Sequence, residues 1–65
     1  MNKKFCNIKE LSEYLDVSIA FVRKLIYAKR IPFYKFGNRI RFDMQEIDIW
    51  VDLHKQKERK SILFM

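Results

Sequence analysis

The chain has 65 residues, 49% of them hydrophobic and 15% aromatic, with a formal net charge of +6. That length holds one domain with a small core and excludes a multidomain arrangement, and so apolar a composition excludes a disordered tail. No apolar run approaches the roughly 18 residues of a membrane span, and Cys6 is the only cysteine, so no intrachain disulfide can staple the fold. Met1-Asn2-Lys3-Lys4 is basic, but no signal-like apolar segment follows it, and the cytoplasm is the expected compartment.

The charge is sorted along the chain. Residues 1–42 hold ten bases and three acids, residues 43–54 hold Asp43, Glu46, Asp48 and Asp52 with no base, and residues 55–65 hold four bases and one acid. Between Ile19 and Phe42 lie Arg23, Lys24, Lys29, Arg30, Lys35, Arg39 and Arg41 without a single acid. A wholly basic segment beside a wholly acidic one is an oriented footprint for a polyanion.

The first element is a helix opened by Asn7, with Glu10 three positions on completing a capping box. Ile8, Leu11 and Leu15 make its inward stripe, Tyr14 lies on the flank, and Asp16 ends it as a residue that tolerates positive φ. Ser18 caps the next helix. Only Asp16 and Val17 separate the two, so they must cross steeply with Val17 in the corner, which is a helix-turn-helix. On the second helix Val22, Leu25 and Ile26 face inward; Ala20, Lys24 and Tyr27 lie opposite, with Arg23 at the edge.

Pro32 stops further helix, and Phe33 to Phe42 predicts a hairpin. Pairing Phe36 with Ile40 and Tyr34 with Phe42 gathers the apolar alternates on one face and requires a three-residue loop of Gly37, Asn38 and Arg39. A two-residue Gly37-Asn38 loop would set Phe36 opposite Arg39 and mix the faces, so the longer loop is expected. In that register Lys35 and Arg41 are cross-strand neighbours on the solvent face, with Arg39 at the tip. Like charges placed opposite one another destabilise a ladder, and an external anion is the reason to keep them.

Asp43 caps the last helix, with Glu46 again three residues later. Ile47, Trp50, Val51 and His54 form its expected inward face. Ile49 and Leu53 widen the apolar arc beyond what one packing face needs, so it meets a further surface: the final Ile62-Leu63-Phe64-Met65 or another protein chain. Catalytic and metal sites are not expected: His54 is the only histidine and Cys6, read as a small buried side chain, the only cysteine. Gly37 is the only glycine, so there is no glycine-rich phosphate loop and no cofactor is expected.

The runs Ile8-Lys9-Glu10-Leu11-Ser12-Glu13-Tyr14-Leu15-Asp16-Val17-Ser18, Phe21-Val22-Arg23-Lys24-Leu25-Ile26, Arg30-Ile31-Pro32 through Arg41-Phe42, and Ile47-Asp48-Ile49-Trp50-Val51 together resemble the excisionase-type helix-turn-helix family. These are winged-helix domains related to the DNA-binding part of MerR regulators. The resemblance covers about residues 5–53, and its most specific part is the joint pattern of Val17-Ser18, Ile31-Pro32, Gly37, Arg41-Phe42 and Trp50. Lys29 stands where a helix-ending glycine is usual, and Phe21 where a threonine is common.

The fold expected is α+β: a small winged helix-turn-helix with two N-terminal helices, a β-hairpin wing and a C-terminal helix, in one domain over residues 1–65 with a basic and apolar tail from 54. The resemblance implies a non-enzymatic reader of double-stranded DNA, acting in several copies or beside an integrase. The candidate DNA-binding residues are Ser18 at a helix N-terminus, Ala20, Arg23, Lys24 and Tyr27 on the helix face, and Lys35, Arg39 and Arg41 on the wing. A small transcriptional regulator is the alternative, and a protein-binding antirepressor or inhibitor using the surplus apolar arc is another. An RNA or ribosome-associated role is disfavoured, because no surface aromatic platform is expected.

Overall fold

A computed structural model describes residues 4–55, and the Ile62–Met65 segment considered above lies outside them. Six elements follow in order: β1 (Phe5–Cys6), α1 (Ile8–Leu15), α2 (Ile19–Tyr27), β2 (Tyr34–Phe36), β3 (Arg39–Asp43) and α3 (Met44–Leu53). The strands form one antiparallel sheet in the order β1-β3-β2. The fold is thus the expected small α+β winged helix-turn-helix, with β1 as an unforeseen addition. Two residues carry no periodicity, so the sequence holds no pattern from which to read that strand.

Capping drives the helical part. The Asn7 side chain accepts from the Glu10 backbone N–H at 2.8 Å, and the Glu10 carboxylate accepts from that of Asn7 at 3.0 Å, closing the capping box. α1 ends with Asp16 in the left-handed region (φ 58°), while Asp16 N–H donates to Glu13 O and Val17 N–H to Ser12 O. α2 ends the same way. Lys29 adopts φ 55° without glycine's freedom, Lys29 N–H donates to Ile26 O and Arg30 N–H to Leu25 O, so both helices finish in a Schellman motif.

Leu11, Val22, Phe42 and Ile47 are fully buried, and Cys6, Ile26 and Ile31 nearly so. Ile8, Leu15, Val17, Leu25, Phe33, Ile40, Met44 and Trp50 pack around them. One inward face differs from expectation. On α3, Ile47 is buried and Trp50 half-buried, but Val51 is 40% exposed and His54 is exposed too, because Met44 rather than a residue of the last turn joins the core. Trp50 is held by its indole N–H, which donates to Arg30 O at 2.9 Å and fixes the chain leaving α2.

The hairpin register also differs. Tyr34 pairs with Arg41, Lys35 with Ile40 and Phe36 with Arg39, leaving a two-residue loop of Gly37 and Asn38. Gly37 has φ 65° while Asn38 is not among the positive-φ residues, the pattern of a hairpin turn with glycine first. All three residues of β2 are exposed, so no core face disciplines that strand and the turn sets its register. Ile40 and Phe42 therefore face the helices with Lys35, whereas Tyr34 and Phe36 share the opposite face with Arg39 and Arg41.

Candidate nucleic-acid interface

α2 presents the first half of the site. The Ser18 hydroxyl oxygen accepts from the Phe21 N–H at 3.0 Å and opens the helix, which puts Ala20, Arg23, Lys24 and Tyr27 on its exposed side. Val22 and Ile26 point the other way into the core. The Tyr27 ring is 77% exposed, so it stands clear of its own helix instead of lying along it. No acid occurs on α2, so its exposed face carries Arg23 and Lys24 with no opposing charge on the same helix, and the helix dipole adds positive potential at its first turn.

The wing cations are not gathered as expected. Lys35 and Arg41 are not cross-strand neighbours: Lys35 sits opposite Ile40 on the helix-facing side, and Arg41 opposite Tyr34 on the other. The physical cause is the shorter loop, since shifting the register by one residue turns every side chain of one strand over. Arg39 flanks the tip and is exposed; Arg41 is half-buried, its Nη1 donating to the Ile40 carbonyl at 2.7 Å rather than pairing with an acid of α3. Arg39 and Arg41 thus form one cationic edge and Lys35 a second.

The capping acid and two of the acids of α3 are turned to structural tasks. Asp43 accepts from the N–H groups of Gln45 and Glu46 and caps the helix, with Lys4 Nζ at 3.7 Å. Glu46 accepts from the Tyr34 hydroxyl at 3.0 Å and Asp48 from that of Tyr14 at 2.5 Å, tying wing and α1 to α3. Each hydrogen bond to a carboxylate raises the tyrosine's pKa above its ordinary value, as does the neighbouring negative charge.

The profile of the helix-turn-helix domain family matches residues 5–52, from β1 through nearly all of α3. The chain belongs to that family. It is a DNA-binding helix-turn-helix domain, with α1 and α2 as its helix pair and β2–β3 as the wing. No curated protein and no solved structure matches it significantly. Among the described residues no helix is long and apolar enough to cross a membrane, and no group of His, Cys, Asp or Glu is placed to hold a metal ion.

Two features of the surface escaped sequence reasoning. One is the aromatic set on the outer side of the sheet, hidden by the assumed register. The other is the groove between α2 and α3 lined by Phe21, Leu25, Ala28 and Trp50, which only the crossing of the two helices creates. The turn preference of Gly37-Asn38 was the available signal for the first.

Proposed function

We propose that this chain is a sequence-specific double-stranded DNA-binding protein of the excisionase type, an architectural factor that acts without catalysis in the cytoplasm. The observation that carries this reading is the acid-free exposed face of α2, where Arg23, Lys24 and Tyr27 flank the small Ala20 on a helix whose other side is locked in the core. Arginine and lysine recognise guanine edges in the major groove, and a small residue lets the backbone approach them closely. Ser18 places the helix N-terminus against a phosphate, and Lys35, Arg39 and Arg41 reach the backbone on the wing side. Further copies at neighbouring sites, or an integrase, are the partners this architecture suits.

A gel-shift titration on duplexes selected from a random pool tests the reading. Arg23→Ala and Lys24→Ala should each weaken the selected site by about 1–3 kcal/mol and relax its preference, whereas Lys35→Ala with Arg39→Ala should weaken all duplexes evenly and flatten the salt dependence. Unchanged site preference in both helix variants would refute the reading. Tandem phased sites with a bend support the excision role, and a lone operator supports a small transcriptional regulator.

A second reading rests on α3, where Ile49 is 64% and Leu53 78% exposed. Such a surface suits an antirepressor or inhibitor docking on another protein. Its affinity would barely respond to salt, in contrast to phosphate contacts.

A further inference from the structure

The outer face of the sheet carries aromatic surface for which the core has no use. In the observed pairing Phe5 lies opposite Asp43, Tyr34 opposite Arg41 and Phe36 opposite Arg39, so these six side chains share one face while Cys6, Ile40 and Phe42 take the other. The three rings touch. Phe5 stands edge-on to Tyr34 with centroids 5.5 Å apart and to Phe36 at 5.9 Å, and Tyr34 and Phe36 are parallel to within 5° at 6.1 Å. The Tyr34 hydroxyl is fastened to Glu46 at 3.0 Å, which fixes the end of the platform next to α3. At its other end Phe36 is 53% exposed, and the tip beside it is open, since a Cβ added at Gly37 would meet nothing within 4 Å.

Cations border the rings. Arg39 and Arg41 stand two residues apart on the same side of β3, and Lys4 Nζ lies 5.6 Å from the Phe5 centroid. Asp43, the only acid in the three strands, is occupied with the α3 cap and Lys4. Ring packing alone would stabilise the hairpin, but it gives no reason to place two like-charged arginines among the rings. Half-exposed aromatic faces interleaved with arginines are what unpaired bases and their phosphates require: rings to stack on, and positive charge along the strand.

We infer that this face stacks unpaired bases of single-stranded DNA, with Phe36 as the principal ring and Arg39 and Arg41 on the flanking phosphates. DNA rather than RNA follows from the reading of α2 as a duplex DNA reader, on which this choice of polymer rests. The two surfaces share Arg39 and Arg41, and Phe36 distinguishes them, because it is not on α2 and is not among the proposed duplex contacts.

Fluorescence anisotropy of the full chain with labelled oligothymidine, its abasic counterpart, oligouridine and the selected duplex tests the inference. Phe36→Leu should weaken oligothymidine binding roughly tenfold and leave duplex affinity unchanged, and Phe36→Tyr should restore the single-strand affinity. Removing the bases should cost as much as Phe36→Leu, and the two losses should not add, since each deletes the same stacking contact. A thermal melt of Phe36→Leu close to that of the parent excludes unfolding as the cause; should Phe36→Leu fail to fold, the abasic comparison on the parent chain carries the test, since no loss on removing the bases would overturn the inference. Additive losses, no loss in Phe36→Leu, equal loss on duplex, or tighter binding of oligouridine would each overturn the inference. So would a Phe36-dependent self-association with no effect on oligothymidine. If Arg23→Ala and Lys24→Ala leave duplex binding intact while the Phe36 effect remains, the α2 reading fails and the stacking face stands.

Discussion

The helix pair and the wing are stabilised by different means. α1 and α2 drive Leu11, Val22 and Ile26 into a shared core and are closed at both ends by hydrogen-bonded caps, whereas every residue of β2 is exposed and the strand is held by pairing to β3, a two-residue turn and rings on its outer side. A frame fixed by burial tolerates little change, while a wing fixed by pairing is free to vary its surface. The proposed backbone contacts of the wing can therefore be altered without unfolding the frame that carries α2. That division separates binding from stability in the variants below.

The largest expected effect comes from breaking the frame. Leu11→Ala leaves a cavity beneath the helix crossing and should cost about 2–5 kcal/mol, much of the stability available to so small a domain. Lys35→Ala, on the exposed strand, should stay within about 0.5 kcal/mol. Urea titration followed by far-UV circular dichroism checks the contrast, and a comparable loss in both variants would show that wing and frame are one cooperative core.

Two left-handed positions sharpen the comparison with effects of opposite sign. Gly37 turns the wing at φ 65°, where a Cβ strains the backbone although the space around it is open, so Gly37→Ala should destabilise by about 1–2 kcal/mol. Lys29 ends α2 at φ 55° and already bears that strain, so Lys29→Gly should stabilise by about 0.5–1 kcal/mol. Melting temperatures moving down in the first and up in the second are the expected result. Movement in the same direction would mean that backbone strain is not what distinguishes the two sites.

The same physical difference decides what the sequence discloses. Caps and helical periodicity are local, so Asn7 with Glu10, Asp16, Ser18 and Asp43 are legible from spacing alone, and the face bearing Arg23, Lys24 and Tyr27 follows from them. Register in a strand with no buried face has no such local signature. Alternation of Tyr34, Phe36, Ile40 and Phe42 points to a three-residue loop, but only Ile40 and Phe42 meet the core, and glycine at the first turn position outweighs the pattern. The cost of that misreading falls on function: it pairs Lys35 with Arg41, and it turns inward the two rings that in fact lie outside beside Arg39. On α3, Val51 and His54 share the right side of the wheel, yet the helix runs past the edge of the core before its last turn.

The smallest effect separates frame from wing by titration. Tyr14 donates to Asp48 and so ties α1 to α3, while Tyr34 donates to Glu46 and ties β2 to the same helix. Each phenol has its pKa raised, first by that hydrogen bond and then by the adjacent negative charge, because a phenolate facing a carboxylate loses the bond and gains a repulsion. A group whose folded pKa lies above its unfolded value contributes stability that is complete below the unfolded pKa of about 10 and is lost as pH rises through the folded one. Both rings are exposed to solvent, so the contribution is small and declines with salt. Tyr14→Phe should flatten the alkaline fall of the global unfolding midpoint, since its tie lies within the cooperative frame. Tyr34→Phe should leave that midpoint nearly unchanged and instead remove the alkaline loss of hairpin amide protection seen by hydrogen exchange. Equal effects of both variants on the global midpoint would show that the hydrogen bond to Glu46 makes the wing part of the frame rather than an appendage to it.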